Sequence, residues 1–337
     1  MKEDLVDPAT KLRPDKYGDS AHQTIGIVDA NAILSSVDND CRTGWDSRLI
    51  RSTLFGSTAL FAPDHVYREI YENLPNFVSN VVSLEDLRDR FETEYLPILR
   101  FVTVSMPEQM HPQVLAITDL DDRPTGQLAQ LIAPVIVYTD DKDLINPGFA
   151  KREWRSTAGS TAVLAEAKVQ ETIVSAAFSL PIEGVFSGSA ALGRRLNLPL
   201  WLPGVALLTL ISAGMYATLL DPKRRANAKN IAFDLFEEVA KCHALHCQRQ
   251  IAGCLEISRV IYPPMDNLTT RQQISIILAR ARKPLFAGEI HAKMIIHFGE
   301  EEVPPVKDVR AILNTGSEFF RIGPYRWQLG RIAGPRN

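Results

Sequence analysis

At 337 residues the chain is long for a single typical domain. With 45% hydrophobic and 23% charged residues it can bury a core over most of its length. A formal net charge of −3 excludes a strongly basic nucleic-acid coat, and four cysteines, three of them within residues 242–254, exclude a secreted disulfide framework.

Residues 1–23 read as a polar, flexible arm. They hold no apolar signal-peptide core, so the expected compartment is a reducing cytoplasm. IGIVDANAIL (25–34) is an apolar run broken by Asp29, which predicts a buried strand turning into a loop. Residues 47–60 predict a helix. FAPDHVYREIYENL (61–74) predicts a strand end and then a helix after Pro63 that carries Glu69. A charged helix over 84–95 and a strand over 98–105 follow. Residues 122–133 predict a helix with Asp122 at its N-cap and Pro124 in its first turn. PVIVYTDD (134–141) is a buried strand ending in carboxylates. Strands alternating with helices over 24–150 predict an α/β domain: a mainly parallel sheet flanked by helices.

Residues 151–262 are Ala-rich and helical by composition. Within them Leu198 to Leu220 is a run of 23 residues without a charged side chain, preceded by Arg194 and Arg195 and followed by Lys223, Arg224 and Arg225. That length can span a bilayer core, although Pro199 and Pro203 near its start, and the all-round apolarity of buried core helices, weigh against it. Thr172 to Leu192, interrupted by Pro181 and Glu183, offers a second arm. A transmembrane hairpin would keep both flanking regions on one side, with Arg194 and Arg195 carried outward against the positive-inside tendency. The reading favours the hairpin, and so a cytoplasmic protein anchored to the inner membrane. Residues 226–260 predict one long amphipathic helix. In it Cys242 and His246, and His243 and Cys247, stand one turn apart, a spacing that can hold zinc; no second ligand pair follows at standard spacing, and core packing is the favoured reading. Residues 266–331 predict three helices and then two short strands around a Gly-Pro turn, the pattern of a small winged helix.

The chemistry rests on where the carboxylates fall. Asp29 and Asp141 each end an apolar strand, Asp122 opens a helix, and Glu69 lies on the helix after Pro63. In open α/β sheets ligands bind at the carboxyl ends of strands. Carboxylates gathered there repel one another and raise each other's pKa, which a hard divalent cation relieves. Singly, Asp122 is equally an N-cap and Asp29 equally a turn residue; the combination is more specific than its parts.

That combination carries a resemblance. IVDANAIL resembles the opening motif of PIN domains, APDHVYREI the second, DLDDRPTGQLA the third and VIVYTDDKDL the fourth, all in family order within residues 25–145. The resemblance implies a ribonuclease dependent on Mg²⁺ or Mn²⁺, as in the toxins of toxin–antitoxin pairs. It implies Asp29, Glu69, Asp122 and Asp141 as catalytic and metal-binding residues, with Asp143 a further ligand and Asn31 orienting Asp29 or a metal-bound water. Asp119 or Asp121 can stand in for Asp122, and Asp140 or Asp143 can share the role of Asp141. Arg123 and Lys142 flank the site, either to contact substrate phosphate or as solvated surface. The expected partners are an RNA substrate, a second copy of the chain or a small antitoxin-like protein. The rival reading is a non-catalytic PIN module that binds nucleic acid or protein.

PLFAGEI and FFRIGPYRWQLG, in the last 60 or so residues, resemble the HARE-type winged helix of chromatin- and restriction-associated proteins. The resemblance implies DNA or protein docking. Lys307 and Arg310 stand on the candidate recognition helix, and Arg321, Tyr325, Arg326 and Arg331 on the wing. Trp327, Phe319 and Phe320 read as packing residues.

Overall fold

The computed structural model describes residues 22, 24–105, 110–179, 248 and 250–334. The chain divides into two compact units, one of Met1–Ala165 with Gly253–Asn337 and one of Glu166–Ala252.

The first unit is built on a four-stranded parallel sheet in the order β3-β2-β1-β4. Its strands are β1 (Thr24–Val28), β2 (Thr58–Pro63), β3 (Leu99–Val102) and β4 (Ile136–Tyr138). β1 and β2 are buried along their whole length, as expected of parallel strands covered on both faces. Side-chain alternation divides the core. Ile25, Ile27, Phe61 and Val137 face one layer, and Leu60, Ala62, Ile136 and Tyr138 the other. Gly26 is required by this close packing, because a Cβ there would lie 2.5 Å from the Tyr138 ring.

The second layer is formed with α1 (Ala30–Thr43), α2 (Arg48–Ser52), α3 (Asp64–Asn73), α4 (Leu84–Arg90) and the start of α8 (Trp154–Ser179). The first is formed with α6 (Arg123–Ile132) and the C-terminal elements. Two short helices, α5 (Pro112–Leu115) and α7 (Lys142–Ile145), flank α6 and β4 in sequence. Two sequence expectations are corrected here. No loop follows β1: Asp29 caps α1 directly, its Oδ1 accepting the Ala30 amide at 2.7 Å, so Asn31 lies in the first helical turn. The helix expected over 47–60 ends at Ser52, because Gly56 sits at φ +69° and the apolar Thr58–Pro63 joins the sheet.

The C-terminal elements run α9 (Thr270–Arg280), β5 (Leu285–Phe286), α10 (Ala287–Phe298), α11 (Val306–Thr315), β6 (Phe319–Ile322) and β7 (Arg326–Leu329). The three strands form an antiparallel sheet in the order β5-β7-β6. Thr269 caps α9 in a reciprocal capping box with Gln272. This segment shares the core of the parallel sheet: Ile274, Ile277, Leu278, Met294, Leu313 and Trp327 join the layer that holds Ile25 and Phe61. It also closes both edges of that sheet. Arg331 exchanges two backbone hydrogen bonds of 2.8 Å with Phe101 beside β3, and Tyr262 exchanges two with Val135 beside β4. Covered edges remove the exposed strand backbone that invites aggregation.

Of the second unit, the described residues 166–179, 248 and 250–252 are helical. Among the described residues no helix is long and apolar enough to cross a membrane. The apolar run 198–220, most of the proposed hairpin, and Cys242, His243, His246 and Cys247 lie outside them.

Candidate metal centre

Strand order and chain order disagree at one place. From β1 the chain steps to β2 on one side, whereas β4 returns on the other, so the crevice at the carboxyl ends of β1 and β4 is the topological switch point. Asp29 follows β1, Thr139 follows β4, and α3, carrying His65 and Glu69, follows β2. A cleft of about 300 Å³ opens there, lined by Asp29, Asn31, Glu69, Asp119, Asp122 and Asp141, together with His65, Arg68, Glu72 and Asp121.

Asp29 is buried, and both of its oxygens are held. Oδ1 accepts the Ala30 amide and Oδ2 accepts the Thr139 hydroxyl at 2.9 Å. The Thr139 Oγ1 also accepts the Asp141 amide at 3.0 Å, so one fully buried hydroxyl ties the ends of β1 and β4 together. Thr139 and the Ala30 amide thus orient Asp29, and Asn31, expected to orient Asp29 or a metal-bound water, is exposed on the rim of the cleft. Burial raises the Asp29 pKa, the Thr139 and Ala30 hydrogen bonds oppose the rise, and Asp141 and Asp140 add to it.

Asp141 caps α7, its Oδ1 accepting the Asp143 amide at 2.8 Å. Asp122 stands at the N-cap position of α6 but makes no capping hydrogen bond, which removes the plain N-cap explanation for it. Its carboxylate instead gathers with Asp119 and Asp143: one ligand oxygen from each lies within 4.8 Å of the other two. Burial, then Asp141, Asp29, Asp119 and Glu69, push the Asp122 pKa up to about 7. Burial, then Asp29, Asp121, Asp119 and Asp141, push Glu69 up to about 6. These groups hold protons near neutrality because too many carboxylates share too little water.

The loop that brings Asp119 in is tightly held. Arg123, expected either to contact substrate phosphate or to be solvated surface, donates from Nε to the Ile117 carbonyl at 3.2 Å and from Nη2 to the Leu115 carbonyl at 3.5 Å. Ile117 is buried against Gly126 of α6, where a Cβ would stand 2.5 Å from Ile117 Cδ1. Asp121 donates its amide to Asp119 Oδ1 at 2.9 Å and lies exposed on the rim. Asp140 faces elsewhere: its Oδ1 accepts Trp154 Nε1 at 2.6 Å, and its Oδ2 pairs with Arg155 at 2.7 Å. Lys142 lines a shallower neighbouring groove with Asn31, Asp140 and Asp143.

Sequence reasoning missed Thr139 and His65. The signal for Thr139 was a hydroxyl placed two residues before Asp141 at the end of an apolar strand. His65 is half-buried, and burial lowers its pKa, leaving the imidazole neutral at pH 7. Arg68 is the one cation lining the cleft among the described residues, and it sits 3.6 Å from Glu72 in an exposed pair. Among the described residues, then, no further cation lines the cleft to neutralise the cluster. Its donors are all hard oxygens, which suit Mg²⁺ or Mn²⁺. Comparison of the chain with family models, with curated proteins and with solved structures returns no match.

Proposed function

We propose that the chain is a PIN-type nuclease that hydrolyses phosphodiester bonds, with RNA as its substrate and Mg²⁺ or Mn²⁺ as its cofactor. The observation that carries this reading is the convergence of Asp119, Asp122 and Asp143 within 4.8 Å at the switch point of a parallel sheet. Those three would hold the cation, with Asp29 and Asp141 bordering it. A bound divalent ion supplies an acidified water and neutralises charge developing on the phosphodiester.

The chain's own groups have separable tasks. Thr139 and the Ala30 amide orient Asp29. Arg123 and Gly126 position the loop that presents Asp119. Glu69, on α3 and lining the cleft, is placed to accept a proton from an attacking water at its carboxylate. Arg68, at the rim, is the cation placed to meet a substrate phosphate.

The order helix, strand, helix, helix, strand, strand over residues 270–329 supports the winged-helix reading of the C-terminal segment. Lys307 and Arg310 are exposed on α11, and Arg321 and Arg326 lie over the Trp327 and Phe286 rings. Such a surface offers a modest nucleic-acid footprint carried by the same core as the cleft.

The test is cleavage of labelled single-stranded RNA and DNA by the full chain in Mg²⁺, Mn²⁺ or EDTA, beside Asp122→Asn. Cleavage that requires metal and falls at least about 100-fold in the variant is expected. Equal activity in the variant rules the reading out. A folded wild-type chain that binds Mn²⁺ dependent on these carboxylates yet cleaves nothing favours a binding module.

A further inference from the structure

A second concavity of opposite charge lies away from the acidic cleft. A cavity of about 350 Å³ opens between the end of α9, β5 and one face of α10. Its basic side chains are Arg280, Arg282, Lys283 and Lys293, with His297 beside them and Glu289 the one carboxylate. Glu289, Lys293 and His297 recur every four residues and so share a face of α10. Glu289 is already engaged, its Oε2 accepting the Phe286 amide at 2.8 Å. Among the described residues no salt bridge joins Arg282, Lys283 or Lys293 to a carboxylate. The α9 C-terminus contributes about half a negative charge. Counting only Arg282, Lys283 and Lys293 against Glu289 and the helix end, the lining keeps an excess of roughly one to two positive charges.

A buried histidine neighbours the arginines of this lining. His22 is 8% exposed, its Nδ1 lies 2.6 Å from the Gly56 carbonyl, and its Nε2 has no partner. Burial and the guanidiniums of Arg100, Arg282 and Arg280 hold its pKa at about 4, against the pull of the Gly56 carbonyl. His22 and Gly56 precede β1 and β2, so this corner of the cavity lies at the amino ends of the strands, away from the carboxylates. The rest of the lining includes the apolar Ile277, Ala281, Leu285 and Ala292. A cationic rim over an apolar floor suits an organic molecule with a multiply charged anionic head.

We propose that this cavity binds a small molecule through its polyphosphate group, with Arg282, Lys283 and Lys293 taking the phosphate oxygens. The site is distinct from the acidic cleft, which repels the same group without metal, and it does not depend on the nuclease reading.

The experiment titrates pyrophosphate and ATP into the full chain in EDTA at 150 mM NaCl, by calorimetry. Saturable binding that strengthens as salt is lowered is expected. Arg282→Ser with Lys293→Ser weakens it at least tenfold, whereas Arg282→Lys with Lys293→Arg retains it. Tighter binding of ATP assigns the site to a nucleotide, and equal binding assigns it to the free polyphosphate. On the wild-type chain alone, saturating ATP slows acylation of Lys283 and Lys293 and leaves Lys307 unchanged. No saturable binding of either probe, binding unchanged in the serine variant, or no protection of the two lysines overturns the proposal.

Discussion

Thr139→Val removes one oxygen from the molecule and tests how the cleft is assembled. Valine matches threonine in shape, so in this fully buried position the change acts through loss of the hydroxyl. Two hydrogen bonds disappear: the one to Asp29 Oδ2 at 2.9 Å and the one from the Asp141 amide at 3.0 Å. The first is made to a buried carboxylate and contributes about 1.5–3 kcal/mol; the second, to a half-buried amide, contributes about 1 kcal/mol. The variant should therefore unfold about 2–4 kcal/mol more easily in urea with EDTA present. Asp29 also loses the interaction that most opposes its raised pKa, so it holds its proton to still higher pH. Because the same hydroxyl orients a carboxylate beside the proposed cation, Mn²⁺ affinity should fall about 10- to 100-fold. Thr139→Ser keeps the hydroxyl and loses a methyl group, at a cost of about 1 kcal/mol with metal affinity little changed. Equal stability and equal Mn²⁺ affinity for the valine and serine variants would refute the reasoning.

Other consequences follow from the same geometry. Asp122 and Glu69 have folded pKa values of about 7 and about 6, above their ordinary 3.8 and 4.5, so the folded chain binds protons more tightly than the unfolded one. Metal-free protein should thus lose stability as pH rises from about 4 to 7, by about 1–2 kcal/mol after solvent screening of these half-buried groups, and Mn²⁺ should restore it; a flat melting temperature across that range in EDTA would contradict this. Gly126→Ala should displace Ile117 and the Asp119 loop, costing about 1–3 kcal/mol in urea unfolding and weakening Mn²⁺ binding, and unchanged affinity would show that the loop is not fixed from α6. Asp140→Asn, whose side chain faces Trp154 and Arg155, should change Mn²⁺ affinity less than about twofold, against more than tenfold for Asp119→Asn. Tyr95→Phe removes hydrogen bonds of 2.6 Å to the buried Asp40 and 2.9 Å to Ser47 beyond the far end of α1, so chemical denaturation should show a loss of about 1–3 kcal/mol with RNA cleavage in Mg²⁺ unaffected.

The carboxylates at strand ends were legible because strand periodicity and helix-start chemistry are local. Asp29 after IGIV and Asp141 after VIVYTD fall at one sheet edge on sequence pattern alone. The choice among Asp119, Asp121 and Asp122 was not legible. All three lie in one loop, and it is the packing of Ile117 on Gly126 and the Arg123 hydrogen bonds, neither visible locally, that set Asp119 beside Asp122. Asp143, placed as an accessory ligand, joins them, whereas Asp141 spends an oxygen on capping α7. The signal for Thr139 was too weak to single it out, because a threonine at a strand end is ordinary and its value comes from a partner 110 residues away in sequence. The sharing of one core by residues 24–150 and 266–331 was hidden for a similar reason. The apolar faces of α9 and α10 show that they need a cover but do not say which surface provides it.

The account stands most directly on whether the acidic cleft holds a divalent cation. Mn²⁺ titration of the full chain at pH 7.5, followed by electron paramagnetic resonance, measures this without reference to any substrate. Saturable Mn²⁺ binding, lost at least tenfold in Asp119→Asn with Asp122→Asn and released on acidification through pH 6, is the expected result. A folded chain that binds no Mn²⁺, or binds it equally in the double variant, would contradict the account.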